Sequence, residues 1–200
     1  MAASSYEKPD FWSIKAKKDG YPARSVYKLE ELDKKFKLLK PGFSVLDIGA
    51  APGSWTLWVL RRLDASGFLA SVDLQPLGIS PSQDNFFFIQ GDLYDSTVKT
   101  ALLAHGPYDL VLSDAAPATS GNRGLDTDRS EALVEAVLDY ADEFLKPGGT
   151  VIAKLFMGGG QRELLDRMKK TYESARAFKP EACRTESFET YLIGQRKNRA

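Results

Sequence analysis

The chain has 200 residues, 43% of them hydrophobic, which is enough for one well-buried core; its 27 Lys/Arg balance 27 Asp/Glu, a neutral total that does not exclude a nucleic-acid partner. No apolar run reaches the roughly 18 residues of a membrane span, and MAASSYEKPDFW lacks the apolar stretch of a signal peptide. A lone cysteine, Cys183, excludes an internal disulfide framework and a multi-cysteine metal site, so a cytoplasmic protein without a membrane partner is expected.

Residues 1–20 mix Ser, Lys, Asp and Gly with little periodicity and read as a flexible basic arm, leaving 21–200 as a single domain. Val26, Leu29, Leu32 and Phe36 then recur at three- and four-residue steps, which predicts an amphipathic helix stopped by Pro41-Gly42. Residues 43–48 read as a buried strand and 54–63 as a helix carrying Leu57, Leu60 and Leu63. Further strands are expected over 68–73, 86–90 and 108–113, with a short helix over 96–104. A long helix over 126–144 is closed by Lys146-Pro147-Gly148-Gly149, ahead of a strand over 150–156. A helix over 162–172 precedes two strand-like segments, 174–179 and 190–195, joined only by a loop. Repeated strand–helix steps with a last strand reached without a helix describe an α/β fold: a doubly wound, mostly parallel sheet with an antiparallel edge strand.

In such sheets ligands sit at the carboxyl ends of the strands. The first strand ends in Asp47-Ile48-Gly49-Ala50-Ala51-Pro52-Gly53-Ser54-Trp55, a turn of small residues running into a helix. Gly49 and Gly53 admit close approach of a ligand, but Ala51 and Pro52 break the dinucleotide pattern and remove an N–H that a pyrophosphate would use. The turn suits a ligand without phosphates. Asp73, Asp92 and Asp114 follow at the ends of successive strands, where carboxylates can accept ribose hydroxyls and an exocyclic amine. The turn and these acids together point to S-adenosylmethionine, with Asp47, Gly49, Gly53, Trp55, Asp73, Asp92 and Asp114 as its site. Lys154 stands inside an otherwise apolar strand, where an unpaired ammonium would be costly, and so requires a functional reason.

The zero net charge hides an uneven spread. Residues 1–40 carry ten Lys/Arg against six Asp/Glu, 41–153 carry six against fifteen, and 154–200 carry eleven against six. Basic ends that meet in space would make a phosphate-binding rim; solvated helix faces account for the charges equally well. Arg24, Lys28, Lys34, Lys35 and Lys37, with Lys15, Lys17 and Lys18, are the candidate phosphate contacts, and Tyr21 and Tyr27 the candidate stacking residues. Residues 119–126, with Gly121 and Gly124, read as a lid loop.

The turn DIGAAPGSW, RSVYKL at 24–29, SDAAP at 113–117, VIAKLF at 151–156 and SFETYLI at 187–193 together resemble the FtsJ/RrmJ family of ribose 2′-O-methyltransferases over residues 21–197. The resemblance implies a Rossmann-like methyltransferase fold with a seven-stranded sheet, S-adenosyl-L-methionine as cofactor, no metal, and a catalytic tetrad of Lys28, Asp114, Lys154 and Glu189. It also implies an RNA partner, first among them a uridine of large-subunit (23S-type) ribosomal RNA in the ribosomal particle, modified by a monomer. A tRNA anticodon-loop ribose is the main alternative, since the same tetrad serves it. A non-catalytic RNA-binding assembly factor on the same scaffold is a second, and a nicotinamide-dependent dehydrogenase, disfavoured by Ala51 and Pro52, a third. Within the tetrad Lys154 could act as general base or stabilise a developing alkoxide, and both roles stay open.

Overall fold

Apolar periodicity and local caps divide the chain into alternating helices and strands in a computed structural model that describes residues 10–184 and 187–199. The elements run α1 (Phe11–Lys18), α2 (Val26–Phe36), β1 (Ser44–Ile48), α3 (Ser54–Leu60), β2 (Phe68–Asp73), β3 (Phe86–Gln90) and α4 (Ser96–Leu103). They continue with β4 (Tyr108–Ser113), α5 (Arg123–Phe144), β5 (Leu145–Phe156), α6 (Gln161–Thr171), β6 (Tyr172–Phe178) and β7 (Glu189–Lys197). The strands form one seven-stranded sheet in the order β3-β2-β1-β4-β5-β7-β6. The direction of winding reverses between β1 and β4, which opens a crevice above their carboxyl ends.

Side-chain parity sends each central strand into two cores, one on each face. Leu46, Ile48, Val72, Val111, Val151, Ala153 and Leu155 pack with Val134, Val137 and Phe144 of α5 and with Leu164 and Met168 of α6. The opposite parity, Val45, Leu69, Leu110, Leu112, Ile152, Tyr191 and Ile193, packs with Val26, Leu29 and Leu32 of α2 and Trp55, Trp58 and Val59 of α3. Lys154 shares the parity of Ile152, so it emerges on the α2/α3 face. Among the described residues no helix is long and apolar enough to cross a membrane.

Four expectations are corrected. The segment read as a flexible basic arm contains α1: Asp10 caps it through Ser13 N at 2.9 Å, Ala16 is buried, and the Trp12 ring packs 5.0 Å from that of Tyr27. Weak periodicity concealed a helix held by tertiary contacts of only a few residues; residues 1–9 lie outside the described residues. Of the lid loop expected over 119–126, the second half, 123–126, is instead the start of α5; Asn122 Oδ1 accepts from Gly124 N and Leu125 N, and Asp126 Oδ1 accepts from Ser120 N and Oγ. Strand β5 begins at Leu145, directly after α5; its register with β4 shifts between Tyr108 and Leu110, Gly148 takes a φ of +81°, and Lys146 pairs with Asp109 at 2.8 Å. Finally, the antiparallel strand is not the outermost one. β7 lies between β5 and β6 and is antiparallel to both, because the α6 crossover carries β6 one position beyond β5 and leaves a slot. Gly194 fits β7 into it, since a Cβ there would fall 2.8 Å from the Tyr172 ring.

Candidate active site

The four residues of the expected tetrad converge from four elements. Lys154 on β5 reaches the end of β4, where its Nζ lies 3.1 Å from Asp114 Oδ1 and also donates to the Asp114 carbonyl oxygen. Lys28, in the first turn of α2, pairs with Glu189 Oε1 at 2.5 Å. Register joins the two pairs: Lys154 stands opposite Tyr191 and Phe156 opposite Glu189, so Lys154, Tyr191 and Glu189 share one face. All four tetrad side chains are only 10–15% exposed, which strengthens their pairing relative to a surface site.

Electrostatics follows from this packing. Burial, the largest influence, would raise the Glu189 carboxyl, but the Lys28 ammonium bonded to it, helped by the Cys183 thiol and the Lys154 charge, holds it below the ordinary glutamate value. Cys183 lies against the same pair, and burial together with the Glu189 charge pushes its thiol up to about 12. It is an inert neighbour at neutral pH. Tyr191, buried and beside the Asp114 charge, is raised well above a free phenol, so its OH stays a donor; it donates to Asp114 Oδ1 at 2.6 Å.

A cleft of about 350 Å³ opens on the other side of Asp114. Gly49, Asp73, Asp92 and Asp114 line it, with Ile48, Val72, Leu93 and Leu133 as apolar walls. The turn after β1 is pressed close to the turn after β4: Gly49 has a φ of +78°, and a Cβ on it would lie 2.6 Å from Ala115. Asp73 shapes this turn, its Oδ2 accepting from Ala51 N at 2.9 Å and its Oδ1 from Gln75 N at 2.8 Å. Each oxygen keeps a lone pair for the cleft.

Three of the expected cofactor residues do not line this cleft. Asp47 is fully buried beneath the turn, where Oδ2 accepts from Thr56 Oγ1 at 2.7 Å. Burial, aided by the charges of Asp114 and Asp73, lifts its carboxyl to about 7 although the Thr56 hydroxyl opposes the rise. Gly53 caps α3 with a φ of +109°, where a Cβ would strike Ile79 at 2.6 Å. Trp55 is 2% exposed, donates Nε1 to Ser25 O at 2.9 Å and stacks on Tyr191 with centroids 5.9 Å apart. It ties the start of α2 to the strand carrying Glu189. Tyr191 itself was missed as a site residue because an apolar strand context reads as core; its position two residues after Glu189 was the available signal.

The basic residues divide as well. Lys34, Lys35 and Lys37, expected beside the tetrad, lie at the far end of α2. Lys37 faces a cavity with Asp109 and Pro147, near the amino ends of β4 and β5, and Lys35 covers the Phe178 ring at 3.9 Å. Tyr27, expected to stack on bases, is buried, donates to Asp19 Oδ2 at 2.8 Å and lies under Lys15. Arg24, in contrast, stays beside Lys28 at a second cavity on the tetrad.

The FtsJ-like methyltransferase family model matches residues 21–197. A Treponema denticola ribosomal RNA large subunit methyltransferase E is 54% identical over 97% of this chain and 98% of its own length. The Sorangium cellulosum protein of the same name is 42% identical over 98% and 91%. Among solved structures, a Plasmodium falciparum ribosomal RNA methyltransferase superposes with a TM-score of 0.76 at 28% identity, covering 88% of this chain and 98% of that one. With a family match across the sheet, the cleft and all four paired residues, the chain belongs to the FtsJ-like methyltransferase family.

Proposed function

We propose that this protein transfers a methyl group from S-adenosylmethionine to a ribose 2′-hydroxyl of RNA, and that the acceptor is a uridine of large-subunit ribosomal RNA. The observation that carries this reading is the buried Lys154–Asp114 pair: Asp114 lines the cleft, and Lys154 shares a sheet face with Glu189 of the Lys28–Glu189 pair. The names of the relatives support ribosomal RNA as the substrate class.

The cleft residues fit the cofactor. Carboxylates at Asp73 and Asp92 suit donors such as ribose hydroxyls and an amine, apolar walls suit a ring, and Asp114 places negative charge near a sulfonium. S-adenosylmethionine supplies an electrophilic methyl when bound. The protein's task is to hold a 2′-oxygen roughly 3 Å behind that carbon and to manage its proton. Lys154, fixed by Asp114 on one side, directs its Nζ at the acceptor; Lys28 and Glu189 fix the opposite side. Neutral, Lys154 takes the proton; charged, it stabilises the oxyanion.

Asp73→Ala is expected to weaken S-adenosylmethionine binding about 10- to 100-fold, from the loss of charge-assisted hydrogen bonds worth about 1.5–3 kcal/mol. Calorimetry on a variant whose melting confirms the fold checks this, and unchanged affinity removes Asp73 from the cofactor site. The function itself is tested by incubating the protein and labelled cofactor with large ribosomal subunits or with tRNA, then mapping the labelled nucleotide. Label on a ribose of large-subunit RNA supports the reading. Label confined to tRNA moves the substrate to the anticodon-loop class, and label on neither rejects transfer to these RNAs.

A further inference from the structure

Beside the Lys28–Glu189 pair lies a cavity of about 430 Å³ whose lining includes Arg24, Arg184, Phe156 and Phe188. Arg24 lies four residues before Lys28, in the turn that leads into α2, and is anchored by Nη2 donating to Ala182 O at 2.7 Å. Its other arm, Nη1, donates to Asp10 Oδ2. The same carboxylate oxygen stands 3.9 Å from Arg184 Nε, so one anion is shared by two guanidinium groups reaching it from separate parts of the chain. The neighbouring wall is aromatic, with the Phe156 and Phe188 rings 4.8 Å apart and Arg123 over Phe188 at 5.1 Å.

With Oδ1 held by the helix cap, Asp10 offers a single oxygen to the two guanidinium groups, one bonded to it and one 3.9 Å away, whereas a phosphodiester brings two free oxygens, one for each. An aromatic wall next to them accepts the face of a base. We infer that Arg24 and Arg184 form a phosphodiester subsite for the RNA strand entering the acceptor cavity, and that Asp10 occupies it in the free protein until the phosphate displaces it. This inference rests on the RNA-methyltransferase reading above. The exchange is easy on the protein side: Asp10 Oδ1 caps α1 through Ser13 N while Oδ2 serves the arginines, so the arginine contact can break with the cap intact. The competing ion pair is partly exposed, and such pairs are weak.

The test uses Asp10→Asn, because Asn caps a helix about as well as Asp and removes only the competing charge. A short labelled single-stranded RNA oligonucleotide is titrated by anisotropy at several salt concentrations. Asp10→Asn should bind about two- to fivefold more tightly than wild type. Arg184→Gln, at a mostly exposed position, should bind about three- to tenfold more weakly and make the slope of log affinity on log salt shallower by about 0.7. In the double variant the gain from Asp10→Asn should shrink, since one of its two partners is gone. Wild-type binding and methylation of RNA, with Asp10→Asn no tighter and Arg184→Gln unchanged in affinity and slope, would overturn the subsite alone. A wild-type protein that neither binds nor methylates RNA would instead overturn the functional reading beneath it.

Discussion

Lys154→Ala is expected to lower the single-turnover rate of methyl transfer by about 100- to 10,000-fold while leaving S-adenosylmethionine affinity nearly intact. Lys154 approaches Asp114 from the side away from the cleft, and Asp114 has a second restraint, the Tyr191 hydroxyl on Oδ1 at 2.6 Å. The cleft wall should therefore survive loss of the ammonium. An interaction needed mainly in the transition state then disappears, which lowers kcat and spares ground-state binding. Transfer from labelled cofactor to ribosomal RNA gives the rate, and calorimetry gives the affinity. Near wild-type transfer would remove Lys154 from the chemistry and overturn its place at the centre of the proposed tetrad. A parallel loss of cofactor binding would make it a cleft-building residue.

Lys28→Met should destabilise the fold by about 3–5 kcal/mol, since it leaves the Glu189 carboxylate largely buried without its bonded cation. The pH dependence should change sign. In the wild type Lys28 holds the Glu189 carboxyl below its ordinary 4.5, so the pair's contribution is present above that value and is lost as pH falls through the lower folded pKa. Without Lys28, burial dominates and lifts the carboxyl; that contribution is then greatest at acid pH and is lost as pH rises through the raised folded pKa. Adding Glu189→Gln should recover most of the stability at neutral pH and flatten the curve, while transfer stays low because the acceptor cavity has lost both charges. Urea denaturation across pH reads the first effect and single-turnover transfer the second. A Lys28→Met protein as stable as wild type at pH 7, with the same pH slope, would show the pair to be energetically idle.

Much of this architecture was legible in one dimension. Periodicity of two and of 3.6 gave away the strand and helix series, because burial of one face is written into local spacing. The strand-end acids and Lys154 stood out for a related reason: an ionic group beside an apolar run carries a desolvation cost that calls for a partner. The less legible elements were those without strong local signals. Helix α1 depends on Trp12 and Ala16 finding α2, and β7 depends on a slot left open by the crossover of α6.

The sequence by itself determined the fold class and the strand-end acids of the cleft, and a resemblance in its motifs singled out the four residues proposed as the tetrad. Only the tertiary structure decided their pairing, Lys154 with Asp114 and Lys28 with Glu189, since pairing depends on strand order and register between distant segments. The same dependence turned Asp47 and Trp55 from expected cofactor contacts into supports, one beneath the turn and the other against Tyr191. It also carried Lys34, Lys35 and Lys37 away from the tetrad and brought Arg184 to Asp10 and Arg24. Burial cost is a property of each residue in its own run of chain, whereas the partner that offsets it is chosen by the path of the backbone through space.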